Sequence, residues 1–93
     1  MSAELALPAR LDLPAAKPLA EAILALRGKD LRLAAGDVTH LGTPGLQVML
    51  AAVRSWEADG KTLSLSDPSD ALTEQLALCG LSPEVLSTSA QEA

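Results

Sequence analysis

The sequence predicts an α/β fold, a mixed β-sheet with its helices mainly on one face. Three observations predict it. Strand-length runs with period-two alternation are each followed by a helix-length run whose apolar residues recur every three or four positions. Gly28, Gly60 and Gly80 stand at the ends of those helical runs, where a left-handed residue closes a helix. The middle and last strand runs alternate in polarity instead of reading as continuous Val/Ile/Leu, so one sheet face is covered and the other is partly open.

The elements follow in order. Residues 3–13 form an extended opening with Leu5, Leu7, Ala9, Leu11 and Leu13 at alternate positions. Pro8 breaks the ladder, which makes this an edge strand or a strand-turn-strand. Pro14 suits a first helical turn, but Pro18 lacks the N–H that would bond back to Pro14. The first regular helix is therefore expected from about Lys17, with Leu19, Ile23 and Leu26 facing the core and Gly28 as its cap. Leu31, Leu33 and Ala35 alternate with Arg32 and Ala34 as a strand, and residues 36–42 form a loop. A second helix is expected over residues 44–59, with Leu46, Met49, Leu50 and Val53 as its apolar stripe and Trp56 on the rim. Residues 62–66 make the last strand. Asp67 is expected to cap the third helix, with Pro68 first in it and Asp70 in the first turn. Leu72, Leu76 and Cys79 form its buried stripe. Ser82, Pro83 and Glu84 open a short final turn pinned by Val85 and Leu86, and the residues beyond read as a frayed polar tail.

The totals fit one domain: 93 residues, ordered over about 3–87, with a tail at 88–93. Hydrophobic residues make up 48% of the chain, with one Trp and neither Phe nor Tyr, so the core is aliphatic and fills by interdigitation. The net charge of −5 comes without a basic cluster or aromatic platforms, which argues against nucleic acid and against anionic lipid surfaces and for a protein partner. Cys79 is the only cysteine and His40 the only histidine, so neither an intramolecular disulfide nor a thiolate zinc site is available, and no metal or cofactor is expected. No run approaches the ~20 apolar residues of a membrane span, and no basic segment precedes an apolar stretch at the start. A cytoplasmic protein is expected.

In open α/β sheets, ligands meet the loops beyond the carboxyl ends of the strands. Residues 37–46 form such a loop. Thr43 reads as the N-cap of the second helix and Pro44 as its first residue, which puts a hydroxyl among free backbone N–H groups at the positive helix end. Phosphorylation there would add roughly −1.5 to −2 charges to a surface that a partner reads.

The acidic turn Leu11-Asp12-Leu13, followed later by Thr43-Pro44-Gly45-Leu46 opening a Leu-rich amphipathic helix, resembles the STAS domain, and the resemblance runs from about Leu5 to Leu86. It implies a non-enzymatic interaction module of the anti-sigma-factor-antagonist and MlaB-like superfamily. In the antagonists the helix opens with Asp-Ser-Ser-Gly-Leu, whose first Ser accepts phosphate from a partner kinase and so switches binding off. By that match Thr43 is the candidate phosphoacceptor, Gly42 replaces the Asp, Pro44 replaces the second Ser, and Gly45 and Leu46 agree. Asp12 matches an acidic position near the acceptor. The resemblance implies docking through Asp12, Thr39, His40, Gly42, Thr43, Pro44, Gly45 and Gln47. It offers three partner classes: an anti-sigma factor that is a serine kinase, the ATPase of a Mla-type lipid-transport ABC complex, and a chemotaxis protein.

Plainer roles stand beside these. Thr43 reads as a helix cap worth ~1 kcal/mol whether or not it accepts phosphate. Asp12 caps the first helix or contacts a partner, His40 is a solvated loop residue, and Cys79 is a small core hydrophobe. Trp56 is a partner anchor or part of the core. Asp67 and Asp70 look like a metal pair, but capping explains both. Residues 42–45 lack the frame and the lysine of a phosphate loop, and a phospho-receiver's acidic cluster is absent. No acid/base pair or nucleophile set points to catalysis.

Overall fold

Parallel strands need long return connections, and this chain supplies helices for them. The structure, a computed structural model, describes residues 2–88. In chain order the elements are β1 (Ser2–Ala6), β2 (Arg10–Leu11), α1 (Leu13–Ala25), β3 (Asp30–Ala34), β4 (His40–Leu41), α2 (Thr43–Asp59), β5 (Leu63–Ser66), α3 (Asp70–Leu78) and a 3-10 turn at Pro83–Leu86. One sheet has the order β1-β3-β5, and β2 pairs with β4 in a separate ribbon. Every described pairing is parallel, so the sheet is not mixed: a helix lies in each connection between paired neighbours and returns the chain to the same end.

The register sorts the two faces of the sheet. Ala3, Leu31 and Leu63 align, as do Leu5, Leu33 and Leu65, and all six belong to the core or pack on it. On the opposite face Glu4, Arg32 and Ser64 align in a polar row. The expected one-sided covering is therefore present. The helices contribute Leu19, Ile23, Met49, Val53, Leu72 and Leu76 to a core that holds no buried polar or charged residue among those described.

Several boundaries differ from the sequence expectations. The opening run breaks at Pro8. β1 stays at the sheet edge while β2 leaves for the ribbon, and Ala9 and Leu13 turn to solvent. α1 starts at Leu13 rather than near Lys17 and carries Pro18 inside it. Pro18 has no N–H to offer the Pro14 carbonyl, and both prolines are exposed, so the break in the ladder lies on the solvent side of the helix. Leu26 caps α1 through tight bonds from Leu26 N–H to Ile23 O and Arg27 N–H to Leu24 O. Gly28, at φ 94°, serves the turn that follows. Gly60, at φ 70°, closes α2 as expected.

Trp56 is not on a rim but 1% exposed. α1 packs along its side of α2, with Ile23 and Leu24 near it, and Trp56 Nε1 donates to Lys29 O at 2.7 Å. Asp67 does not cap α3. It takes φ 49°, the chain turns further, and Ser69 caps instead, its Oγ accepting from Leu72 N–H at 3.0 Å. Cys79 is exposed, because Leu81 N–H reaches back to Leu76 O and the reversed chain packs Leu81 in its place. Ser87 and Thr88 do not fray. Thr88 N–H donates to Leu63 O at 2.8 Å, and the Thr88 and Ser87 hydroxyls accept from Leu63 and Leu65 N–H, covering the free edge of β5. Residues 89–93 of the expected tail lie outside the described residues.

Candidate functional site

The loop over residues 36–42 contains an element the sequence did not reveal. His40 and Leu41 pair with Arg10 and Leu11. Each strand of this two-residue ribbon runs straight into a helix, β2 into α1 and β4 into α2. The ribbon therefore sets two helix N-termini side by side, and Asp12 and Gly42 occupy the two N-cap positions.

Close backbone contact fixes this arrangement. Gly42 N–H donates to Leu11 O at 2.7 Å, and Leu46 N–H bonds Gly42 O at 3.0 Å to start α2. A Cβ at Gly42 would lie 3.2 Å from Leu11 O and 3.3 Å from Asp12 Cα. Gly45 is tighter: its Cβ would collide with Leu11 O and lie 2.8 Å from Leu11 Cβ. Thr39 holds the start of β4, its N–H and hydroxyl both donating to Ala9 O, at 2.7 and 3.1 Å. His40 N–H shares that acceptor at 3.2 Å.

α3 secures the outer side of β4. Gln75 Oε1 accepts from Leu41 N–H at 2.6 Å, and its Nε2 donates to Thr39 O at 3.3 Å. One side-chain amide thus replaces a missing neighbouring strand. Ser69 Oγ donates to Val38 O at 2.6 Å and ties the same loop to the start of α3.

The eight residues named as a docking surface fall into distinct roles. Thr43 and Gln47 are exposed on one side of α2. Thr43 is the first helical residue rather than the cap, because Gly42 holds the extended conformation (φ −97°, ψ 163°) and bonds Leu11. No described residue bonds the Thr43 hydroxyl. Pro44 and Gly42 are half-buried, and Pro44 removes one N–H from the helix start. Gly45 is buried, so it acts by letting α2 settle on Leu11 and not by touching a partner. Thr39 is exposed at the loop edge. His40 is half-buried in the ribbon rather than free in a loop.

Asp12 sits at the N-cap position of α1 but caps nothing. Its carboxylate accepts from Arg10 Nε at 2.9 Å, and this exposed ion pair borders the site. Arg10 was missed, though its two-residue spacing from Asp12 on a strand is a readable signal. Gln75 gave none, because its partners lie 34 and 36 residues away. The pair Asp67 and Asp70 is split by the Ser69 cap. No group of three or more His, Cys, Asp or Glu gathers among the described residues.

The site offers an exposed hydroxyl, a flanking ion pair and a rigid backbone frame. No helix among the described residues is long and apolar enough to cross a membrane. A family model described as "Mlab, STAS domain" matches residues 2–87. No curated protein and no solved structure matches the chain significantly. The matched span takes in every strand and helix just described and both helix starts at the ribbon. The chain belongs to the MlaB-like STAS domain family, whose domains are in general interaction modules rather than enzymes.

Proposed function

We propose that the protein is a non-enzymatic docking module that acts in the cytoplasm and seats on a partner protein through the rim around Thr43. The observation that carries this reading is the exposed Thr43 at the start of α2, whose hydroxyl bonds no other described residue. Gly42, Gly45 and Gln75 place it rigidly, so a partner meets a preformed surface. The partner class this favours is the ATPase of an MlaB-type lipid-transport ABC complex, because the matching family model is of that type. Asp12, Gln47 and Pro44 supply the polar and apolar contacts around the threonine.

A second reading shares the surface. An anti-sigma factor that is a serine kinase docks there and phosphorylates Thr43, and the added charge expels it from a packed interface. The accessibility of the hydroxyl supports this reading, and Gly42 in place of the antagonists' Asp weighs against it.

The test is affinity purification of the tagged protein from its native host, with membrane and soluble fractions analysed by mass spectrometry. An ABC-type ATPase is expected in the membrane fraction and is lost with Thr43→Arg, while the thermal melt of the variant stays unchanged. Phosphate on Thr43 together with a captured kinase selects the second reading. Capture unaffected by Thr43→Arg rules out the rim as the docking surface.

A further inference from the structure

β1 is an outer strand of the three-stranded sheet, and its register decides which of its backbone groups face out. Leu7 N–H donates to Ala34 O at 2.9 Å, and Glu4 and Ala6 lie in register with Arg32 and Ala34. Alternate residues of a strand turn both backbone groups to the same side, so Leu5 and Leu7 face β3, while Glu4 and Ala6 turn theirs outward. No described residue bonds those outward N–H and C=O groups. Two other edges are closed: Ser87 and Thr88 cover β5, and Gln75 covers β4. Beside the open edge runs a groove of about 240 Å³ between β1 and α1. Its walls are apolar, with Leu5, Ala6 and Pro8 on one side and Ala15, Pro18 and Ala22 on the other.

We propose that β1 is a self-association edge, on which a second copy of this chain adds its own β1 antiparallel about a two-fold axis. The open backbone groups select a strand as the occupant, since only an extended segment presents donors and acceptors at the matching spacing. Outward residues pair only with outward residues, which leaves few registers. Glu4 opposite Glu4 of the second copy sets like charges against each other. One step along, Glu4 faces Ala6 of the second copy, each such pair exchanges two hydrogen bonds, and the carboxylates separate. That register brings Leu5 opposite its own counterpart, in the closely spaced non-hydrogen-bonded position on the covered side of the sheet. Pro8 lacks an N–H and ends the pairing. The axis stands perpendicular to the sheet, so both copies of α1 lie on one face. Ala15, Pro18 and Ala22 meet across it, small enough for close approach. The joined faces are about 20 Å long, one strand and one helix deep, and bury on the order of 1,000 Å² in all. That is near the lower limit for a specific interface, so the dimer is expected to dissociate in the micromolar range.

The test is sedimentation equilibrium of the full chain from about 10 µM to about 1 mM, with amide hydrogen exchange of ¹⁵N-labelled protein read at both ends of the range. Self-association is expected, and the amides of Glu4 and Ala6 are expected to exchange more slowly at the high concentration. Ala6→Pro removes an outward N–H that β3 does not use, so the monomer keeps its ladder. The two-fold axis removes that donor twice, and dimerisation is expected to weaken roughly tenfold or more. Pro18→Glu improves helix propensity yet sets two carboxylates across the axis, and is expected to weaken the dimer roughly threefold. Melts followed by Trp56 fluorescence report whether each variant is folded, and should Ala6→Pro fail to fold, Pro18→Glu decides. A parent that stays monomeric at the top of the range overturns the proposal, and protection of the two amides only on adding host lysate then assigns the edge to another protein's strand. A dimer that neither folded variant weakens overturns it too, as does one in which the Glu4 and Ala6 amides exchange as in the monomer. None of these measurements reads a contact at Thr43, so their failure leaves the docking reading standing.

Discussion

Gly45→Ala puts a single methyl group against the tightest contact in the site. In most helices this change stabilises, by up to ~1 kcal/mol, because alanine has the better helix propensity and restricts the unfolded chain. Here the new Cβ collides with Leu11 O and lies 2.8 Å from Leu11 Cβ and 2.9 Å from Leu11 C. Leu11 has nowhere to go. It is fully buried, its strand is paired with β4, and its carbonyl holds Gly42 N–H at 2.7 Å. Relief therefore requires α2 to lift off the ribbon. Overpacking of this kind costs about 1–3 kcal/mol; the atoms met are backbone and Cβ of Leu11 rather than the end of a flexible side chain, so the upper half of that range applies, and a propensity gain of up to ~1 kcal/mol set against it leaves a loss of about 1–2 kcal/mol. For a domain of this size that is roughly 5–15 °C in melting temperature. Trp56, the only tryptophan and 1% exposed, reports unfolding by fluorescence, with far-UV circular dichroism as the second probe. A Gly45→Ala variant as stable as the parent, or more so, would show that α2 does not rest on Leu11 and would refute the account of the rigid frame.

Four further outcomes follow from the same contacts. Thr43→Ala is expected to leave stability within ~0.5 kcal/mol in urea melts, because Gly42 occupies the cap; a loss near ~1 kcal/mol would restore Thr43 as the cap. Gln75→Ala strips the partner from Leu41 N–H, so a loss of about 1–3 kcal/mol and faster hydrogen exchange at Leu41 are expected. Ser69→Ala removes both the α3 cap and the bond to Val38 O and is expected to cost about 1–2 kcal/mol, seen as a lower urea midpoint. Asp59 accepts from Arg27 at 2.8 Å, and this hydrogen bond, aided by the charges of Arg27 and Lys61, lowers its pKa against a smaller opposing effect of desolvation. A depressed carboxylate stabilises above its unfolded value of about 3.9 and loses that contribution as pH falls through the folded value. Urea midpoints of the parent and of Asp59→Asn are therefore expected to converge as pH drops below about 4.

What the sequence disclosed follows the range of the interactions involved. β3 and β5 were legible because Leu31, Leu33, Leu63 and Leu65 alternate with polar residues over several positions, and the pleat alone turns alternation into a face. Gly60 was legible because a left-handed cap is a local requirement. β2 and β4 were not, since two residues cannot display a period and their pairing joins positions 30 apart. The start of α2 was off by one position because proline fits either of the first two helical residues, and only the bond from Gly42 to Leu11 decides between them. The wheel of α2 placed Trp56 on a rim, but α1 packs against that side and widens the buried arc. At the site, the exposure of Thr43 was readable from its place before an amphipathic helix. The burial of Gly45 was not, because its neighbour Leu11 is remote in sequence and only the ribbon brings them together.

Among the described residues Thr43 makes no side-chain bond of its own, yet its position is determined by four others. Gly42 bonds Leu11, Gly45 rests on Leu11, Thr39 bonds Ala9, and Gln75 grips both Thr39 and Leu41. Three of these contacts reach the segment leading into α1, and the last reaches α3. The frame and the exposed rim are therefore carried by different residues. Substitution at Thr43 alters the exposed rim without loosening the fold, whereas substitution at Gly45 or Gln75 shifts the start of α2 relative to α1 and Asp12. A surface so divided lets the chemistry at position 43 vary at little cost to stability, because nothing in the core leans on the threonine.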